Sequence, residues 1–347
     1  GVSDNFFFEN LNEDILGTKQ KNYLTKRVNA KWIGKLLKLE GEIREYEDLN
    51  PFTSEQYETR PNFSLTFQDN YKGINFNLLS SYTKFAFDGS FNPFNKQKEI
   101  TRKSIEPSLS FNKYFTSSSF SIAIGIEDLN YDINSIDFDR SSNWLETEYK
   151  LFFENRSEQS YKSLNPTIKY ILLNEESLPF ESIDSRLMGL NYNNLFLRNW
   201  YSGPDRFLNQ DRVILGIEHQ NLGLESDTNL SFSIGKAFFL KDEHLVGEEK
   251  KRTSPLVMEF RQQIKSDLFA NGMLEIDSDF DKVHSGSFGL TYERDEDKKI
   301  ELRSIYKRLN PSISNMPWFD NDLPISQLEL LTQWSISDKF MIFGKLQ

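Results

Sequence analysis

The sequence predicts an all-β fold, an antiparallel up-and-down transmembrane β-barrel of about 16 strands. Three observations carry that prediction. Apolar residues recur at every second position through segments long enough for a tilted strand to cross a bilayer. In several of these segments one face is wholly apolar while the other is charged. The connections alternate between short and long along the chain, as the turns and loops of an outer-membrane barrel do.

Composition agrees with strands. Of 347 residues, 30 are Phe and 14 are Tyr, and the aromatic share is 14% against a low hydrophobic share of 37%. That bias favours sheet over helix. There is no cysteine, so no disulfide, thiolate metal site or cysteine nucleophile can form within the chain. The 3 histidines, His219, His244 and His284, share no metal-ligand spacing, and no metal or cofactor is expected. The net charge of -11 argues against nucleic acid, which needs a basic footprint. No run of about 18 apolar residues marks a membrane-spanning helix. No basic-then-apolar leader opens the chain.

In chain order the expected strands are 22–33, 36–48, 61–69, 74–87, 103–113, 119–131, 143–155, 161–173, 211–220, 228–239, 254–263, 268–278, 283–293, 298–308, 325–335 and 339–347. The second is the clearest. "KLLKLEGEIRE" puts Leu37, Leu39, Gly41 and Ile43 on one face and Lys38, Glu40, Glu42 and Arg44 on the other. In the sixth, "FSIAIGIE" aligns Phe120, Ile122, Ile124 and Ile126. In the twelfth, "GMLEID" alternates Gly272, Leu274 and Ile276 with Met273, Glu275 and Asp277. In the fourteenth, "KKIELRSIYK" sets Ile300, Leu302, Ser304 and Tyr306 against Lys299, Glu301, Arg303 and Lys307. Successive side chains of a strand point to opposite sides of the sheet. The charged residues, together with Glu259 and Arg261, are therefore expected to face a polar lumen.

Between the strands, tight connections such as Gly34-Lys35, "RSEQS" and "SISD" alternate with long polar ones, including 132–142, 174–210, 240–253 and 309–324. The slot near 279–282 is a short exception. Pro61, Pro107, Pro166 and Pro255 are expected at or near strand starts, where a missing donor costs least. Trp32, Tyr46, Tyr71, Tyr114, Phe115, Trp144, Tyr170, Phe238, Phe239 and Trp334 are expected near strand ends, as interfacial girdles.

No catalytic constellation is visible. Ser202 and Asp205 lack a nearby histidine. No phosphate-cradling glycine loop occurs. Carboxylate pairs such as Glu154 and Glu158 are indistinguishable from surface charge. The chain is not expected to be an enzyme.

The longest connection ends in "NWYSGPDRFLNQDRVILG", with two Asp-Arg pairs six residues apart. Such a loop in a compact protein is usually functional or folded back. "LNYNNLFLRNWYSG" is too apolar to hang in water, so it is expected to pack into the barrel mouth, burying Leu195, Phe196 and Trp200. Arg198, Arg206 and Arg212 are expected to pair with lumenal carboxylates. Tyr201, Gly203, Asp205 and Asp211 complete the loop-anchoring candidates, and residues 190–210 are expected to be held by Asp205 and Arg206. Pinning of the loop is favoured over direct ligand contact.

These residues resemble a known family. "LNPTIKYILL" followed by "NNLFLRNWYSGPDRFLNQDRVILGIE" is similar to the barrel domain of the lipopolysaccharide-assembly proteins LptD. Leu195, Phe196, Tyr201, Gly203, Asp205, Arg206, Val213 and Gly216 match its loop pattern in order. Asn165 stands where the family usually has Glu before Pro166. Asp211 and Arg212 occupy a stretch where it has Ala-Asn or Asn-Arg. "FSIGKAFFL", "GLTYERDEDKKIELRSIYKRLNP", "GVSDNFFFENLN" and "SIEPSLSF" resemble further segments in the same order, so the resemblance covers nearly the whole chain.

The resemblance implies that residues 1–347 are part of one larger outer-membrane barrel in a Gram-negative bacterium. The family's periplasmic jellyroll and terminal barrel strands would lie outside this chain, and with them the seam through which lipid leaves. It implies lipopolysaccharide as ligand, an LptE-like lipoprotein plug, and an LptA-like periplasmic bridge reached through the jellyroll. The alternatives are a complete porin-like or receptor barrel for small solutes, and a soluble all-β binding protein.

Overall fold

Period-two alternation becomes sheet along the chain. The structure, a computed structural model, describes residues 2–10, 20–48, 57–87, 99–133, 136–175, 188–201, 204, 210–223, 229–243, 251–277, 280, 282–294, 298–308, 324–337 and 340–346. These form 19 strands and one short helix. In chain order the strands are β1 (Val2–Asn10), β2 (Gln20–Ile33), β3 (Leu37–Asp48), β4 (Tyr57–Tyr71), β5 (Ile74–Phe87), β6 (Glu99–Tyr114), β7 (Ser118–Ile133), β8 (Ile136–Leu151), β9 (Phe153–Arg156) and β10 (Ser160–Glu175). Helix α1 (Tyr192–Leu195) follows. Then come β11 (Gln210–Gly223), β12 (Asn229–Glu243), β13 (Lys251–Thr253), β14 (Leu256–Lys265), β15 (Leu268–Ile276), β16 (Val283–Glu293), β17 (Lys298–Arg308), β18 (Pro324–Ser337) and β19 (Phe340–Leu346).

The sheet is antiparallel and runs up and down, and it does not close on itself among the described residues. Two compact units divide it, residues 1–112, 123–145 and 174–181 in the first and 113–122, 146–173 and 182–347 in the second. In the first, β1 through β5 pair in succession, and β5 pairs with β6. In the second, the ladder runs from β9 and β10 through β11, β12 and β14 to β19.

Register keeps the two faces apart. In the second unit one cross-strand row reads Ala270, Leu290, Leu302, Leu330, Leu346. The row beside it reads Arg261, Asn271, Gly289, Arg303, Glu329. Exposure is inverted relative to a water-soluble sheet, whose apolar face would be covered. Leu302 is 42% and Leu328 62% exposed, while Glu301 is 6% and Glu329 3% exposed. A buried polar group or an exposed large apolar patch is the informative departure, and here both follow the alternation of single strands.

Several expectations need correction. Residues 132–142 were expected as a long connection, but β7 runs to Ile133 and β8 starts at Ile136. Arg140 and Ser142 are buried at 2% each, so this stretch buries polar side chains and carries no apolar stripe. β1 was not expected at all. β9 and β13 are fragments of 4 and 3 residues, broken from β8 at Phe152 and from β14 at Ser254-Pro255.

The prolines are placed differently too. Of the four, only Pro255 sits at a strand start, just before β14. Pro61 lies inside β4, at a register shift between Thr59 and Asn62, and a bulge is a place where a missing donor is tolerated. Pro107 and Pro166 pair with Leu78 and Ile217 within strand interiors. Among the aromatics, Tyr71 and Tyr114 sit at strand ends and are 70% and 79% exposed. Trp144 instead is a core residue within β8, covering Gly125, where an added Cβ would lie 2.4 Å from its ring.

Candidate functional site

Within the long connection after β10, the Met188 N–H donates to the Trp200 carbonyl at 2.8 Å. Between them the chain forms a compact insert. Asn191 caps α1, its side-chain oxygen accepting from the Asn194 N–H at 2.7 Å. Asn194 Nδ2 then donates to the Gly189 carbonyl at 3.0 Å. A side-chain oxygen at this position satisfies an amide that a helix start leaves open. The indole of Trp200 donates to the Leu195 carbonyl at 3.3 Å.

The insert seats its apolar side on β10, β11 and β12. Leu195, Trp200 and Tyr201 form one buried cluster with Ile171, Ile214, Ala237 and Phe239, and Leu190 and Phe196 pack against it. The rings of Trp200 and Phe239 meet edge-to-face at 5.9 Å. A pair of directly opposed glycines, Gly216 on β11 and Gly235 on β12, makes the seat. A Cβ on Gly216 would fall 2.5 Å from Phe196 and 2.7 Å from the Tyr192 hydroxyl, and one on Gly235 would fall 2.9 Å from Leu195. Real Cβ atoms do not approach that closely, so the insert depends on bare backbone here.

Polar contacts fasten the rim. Lys169 Nζ donates to the Phe196 carbonyl at 2.8 Å and pairs with Glu146 at 2.8 Å. Arg198 reaches the same carboxylate at 4.0 Å. Arg212 is fully buried; its guanidinium lies 4.4 Å from the Trp200 ring centroid and donates to the carbonyls of Leu197 and Arg198. Glu259 accepts from the Tyr192 N–H at 2.7 Å. Burial pushes the Tyr192 phenol above its ordinary value, and the carboxylates of Glu218, Glu148 and Glu259 add to the shift. Under Tyr192 and Asn193 lies a polar cavity of about 400 Å³ bordered by Glu218, Glu259, Arg261 and Asn271.

Of the anchoring residues expected from sequence, Phe196, Arg198, Trp200, Tyr201 and Arg212 meet at this insert. Asp211 stands at its edge, 3.9 Å from Lys241. Gly203, Asp205 and Arg206 lie outside the described residues. Arg212 was expected to pair with a carboxylate; among the described residues it meets two loop carbonyls and an indole face. Lys169, Glu146, Tyr192 and Gly235 were missed, and Gly216 was known only as a match to the loop pattern. The glycines are 19 positions apart, and only the β11–β12 register makes them neighbours.

The charged candidates of the strands are dispersed along one face of each unit. Lys38 pairs with Glu40 at 2.8 Å, and Glu42 is half-buried. Arg44 sits opposite Thr59, and its side chain lies outside the description. In the second unit Glu275 accepts from Ser285 at 2.7 Å. Glu301 takes Lys299 at 3.5 Å and Arg303 at 2.5 Å. Arg261 is exposed beside Phe269, and the Asp277 N–H donates to the Lys282 carbonyl at 2.9 Å.

A family model described as LptD, LPS transport system D, matches residues 1–340. The chain belongs to the LptD family. The LPS-assembly protein LptD of Shewanella frigidimarina is 24% identical over 363 residues, which cover 99% of this chain and 46% of that protein. That of Pseudoalteromonas atlantica is 22% identical, over 99% of this chain and 45% of its own length. The chain thus spans about half the length of these relatives. The ferric preacinetobactin receptor BauA of Acinetobacter baumannii shows a TM-score of 0.46 at 9% identity, over 99% of this chain and 60% of that one; a likeness at that level carries no argument. Membership in the LptD family does not favour the small-solute porin expected as an alternative.

Proposed function

We propose that this chain forms part of the barrel wall of an outer-membrane protein that places lipopolysaccharide in the outer leaflet of a Gram-negative bacterium. One observation carries the membrane part of the reading. On β17 and β18 the apolar face is exposed and the carboxylates are covered, Leu302 and Leu328 against Glu301 and Glu329. Lipid accepts the first face, and a watered lumen suits the second. Apart from the fragments β9 and β13, the strands have 7 to 16 residues, against about 9–11 for a tilted crossing.

Family membership supports the cargo. On this reading residues 1–347 lie within one barrel domain, and the polar faces carrying Lys38, Glu40, Glu42, Arg44, Glu259, Arg261, Glu275, Asp277, Lys299, Glu301 and Arg303 pass the sugar portion of the lipid. The insert around Trp200 narrows that passage on the polar side of β10–β12 and offers a surface to an LptE-like plug. An LptA-like bridge would feed the barrel through a jellyroll. No bond is made or broken in the step.

The test is depletion of the full-length protein in its own cells. Newly made lipopolysaccharide should stop reaching the surface of intact cells, and the protein should fractionate with outer membrane. Undiminished surface delivery, or release of the protein with soluble periplasmic contents, would overturn the reading.

A further inference from the structure

A cavity of the first unit lies on its apolar face, away from the charged row. Register defines it. One cross-strand row reads Ala30, Gly41, Phe63, Tyr82, Lys103, and the next reads Trp32, Leu39, Leu65, Ser80, Ile105. The furrow between them has a volume of about 1100 Å³, slightly beyond the usual range of about 300–1,000 Å³ for small-molecule sites. Small residues, Ala30, Gly41 and Ser80, keep it open. At its β2 end stands Trp32, 55% exposed. At its other end the lining turns polar, with Lys103, Asp128, Asn130 and Asp139. Asn130 donates to Asp139 at 2.8 Å. Lys103 and Asp128 are exposed.

An apolar trench ending in one ammonium and two carboxylates selects its occupant by charge. A lipid carrying only phosphate would meet Lys103 but also two negative groups. A lipid carrying phosphate and a primary ammonium together satisfies both signs, with the phosphate on Lys103 and the ammonium at Asp128 and Asp139. The trench is one row wide, which suits a lipid with two acyl chains over a bulkier, many-chained one. We infer that this furrow binds a single zwitterionic aminophospholipid, its chains along Leu39, Leu65 and Ile105 and its headgroup at Lys103, Asp128 and Asp139. The inference rests on the reading of this face as lipid-facing.

The full-length protein, purified in detergent and offered phosphatidylethanolamine and phosphatidylglycerol of matched chains, provides the test by native mass spectrometry. The wild type should retain one phosphatidylethanolamine, preferred by about fivefold, the upper worth of one exposed ion pair. Asp128→Asn combined with Asp139→Asn should erase that preference, and Ser80→Leu, which fills the trench, should lower retention of both lipids. Equal retention of the two lipids by the wild type overturns the site, whatever the variants do. Flotation with liposomes separates the two readings. Protein that floats without lipid preference refutes only the furrow, and protein that does not float refutes the membrane assignment itself.

Discussion

Gly216 and Gly235 decide whether the insert can sit on the sheet. The contact distances at Gly216 leave no room for a side chain against Phe196 and Tyr192, so Gly216→Val should cost about 1–3 kcal/mol, as overpacking usually does. Trp200→Ala should cost more, about 3–5 kcal/mol, because it empties a fully enclosed aromatic site. Urea unfolding of the full-length protein in lipid vesicles reads both, and a Gly216→Val midpoint equal to wild type would mean that the insert is not held there. Tyr192 gives the same seat a pH signature. Its phenol is raised from 10.0 by burial, with help from nearby carboxylates. The native state therefore prefers the neutral form. That contribution is complete below pH 10 and is lost as pH climbs towards the raised native value, because the unfolded chain ionises first. Subtracting the Tyr192→Phe stability curve from that of wild type should leave a difference that falls above pH 10 and is flat below it. A flat difference at all pH values would place the phenol in contact with water.

At the scale of elements, what the sequence showed and what it hid follow from the same rule. β3, β15 and β17 were legible because one face is apolar and the other charged, so alternation marks both strand and register. β8 begins with "IDFDRSSNW", where Asp139 and Ser141 alternate with Arg140 and Ser142. Both faces are polar there, and the period-two signal vanishes although the strand persists. In β1, "VSDNFFFEN" runs three phenylalanines together, which erases alternation. α1 has 4 residues, too few for a 3.6-residue period, and only its Asn191 cap could have announced it. The apolar content of the insert was legible, while its glycine seat depends on pairing across strands. Alternation also makes a direct prediction on β3. Leu39→Arg should destabilise membrane folding by roughly 2–4 kcal/mol if it lies near the midplane. Glu40→Arg should cost far less, losing one half-exposed pair with Lys38 of the kind worth about 1 kcal/mol or less. Similar losses at the two positions, measured by vesicle folding of the full-length protein, would mean that the faces are assigned the wrong way round.

For the molecule as a whole, the open sheet governs behaviour. The strands do not close on themselves among the described residues, and the chain covers 46% of its Shewanella frigidimarina relative. An unpaired sheet edge presents a row of bare N–H and C=O groups. In water that row recruits other chains, and in hydrocarbon each unsatisfied group costs several kcal/mol. The charge of -11 keeps unfolded copies apart but satisfies none of those groups, since repulsion acts on solubility and not on backbone pairing. The 347-residue chain produced alone should therefore insert poorly into bilayers and show no unitary conductance. The full-length protein should resist urea and run as a compact, heat-modifiable species. Planar-bilayer recording on the two preparations side by side is the deciding measurement. A single, reproducible conductance step from the chain alone would mean that its strands suffice to close a pore, and that the wall described here is a barrel in its own right.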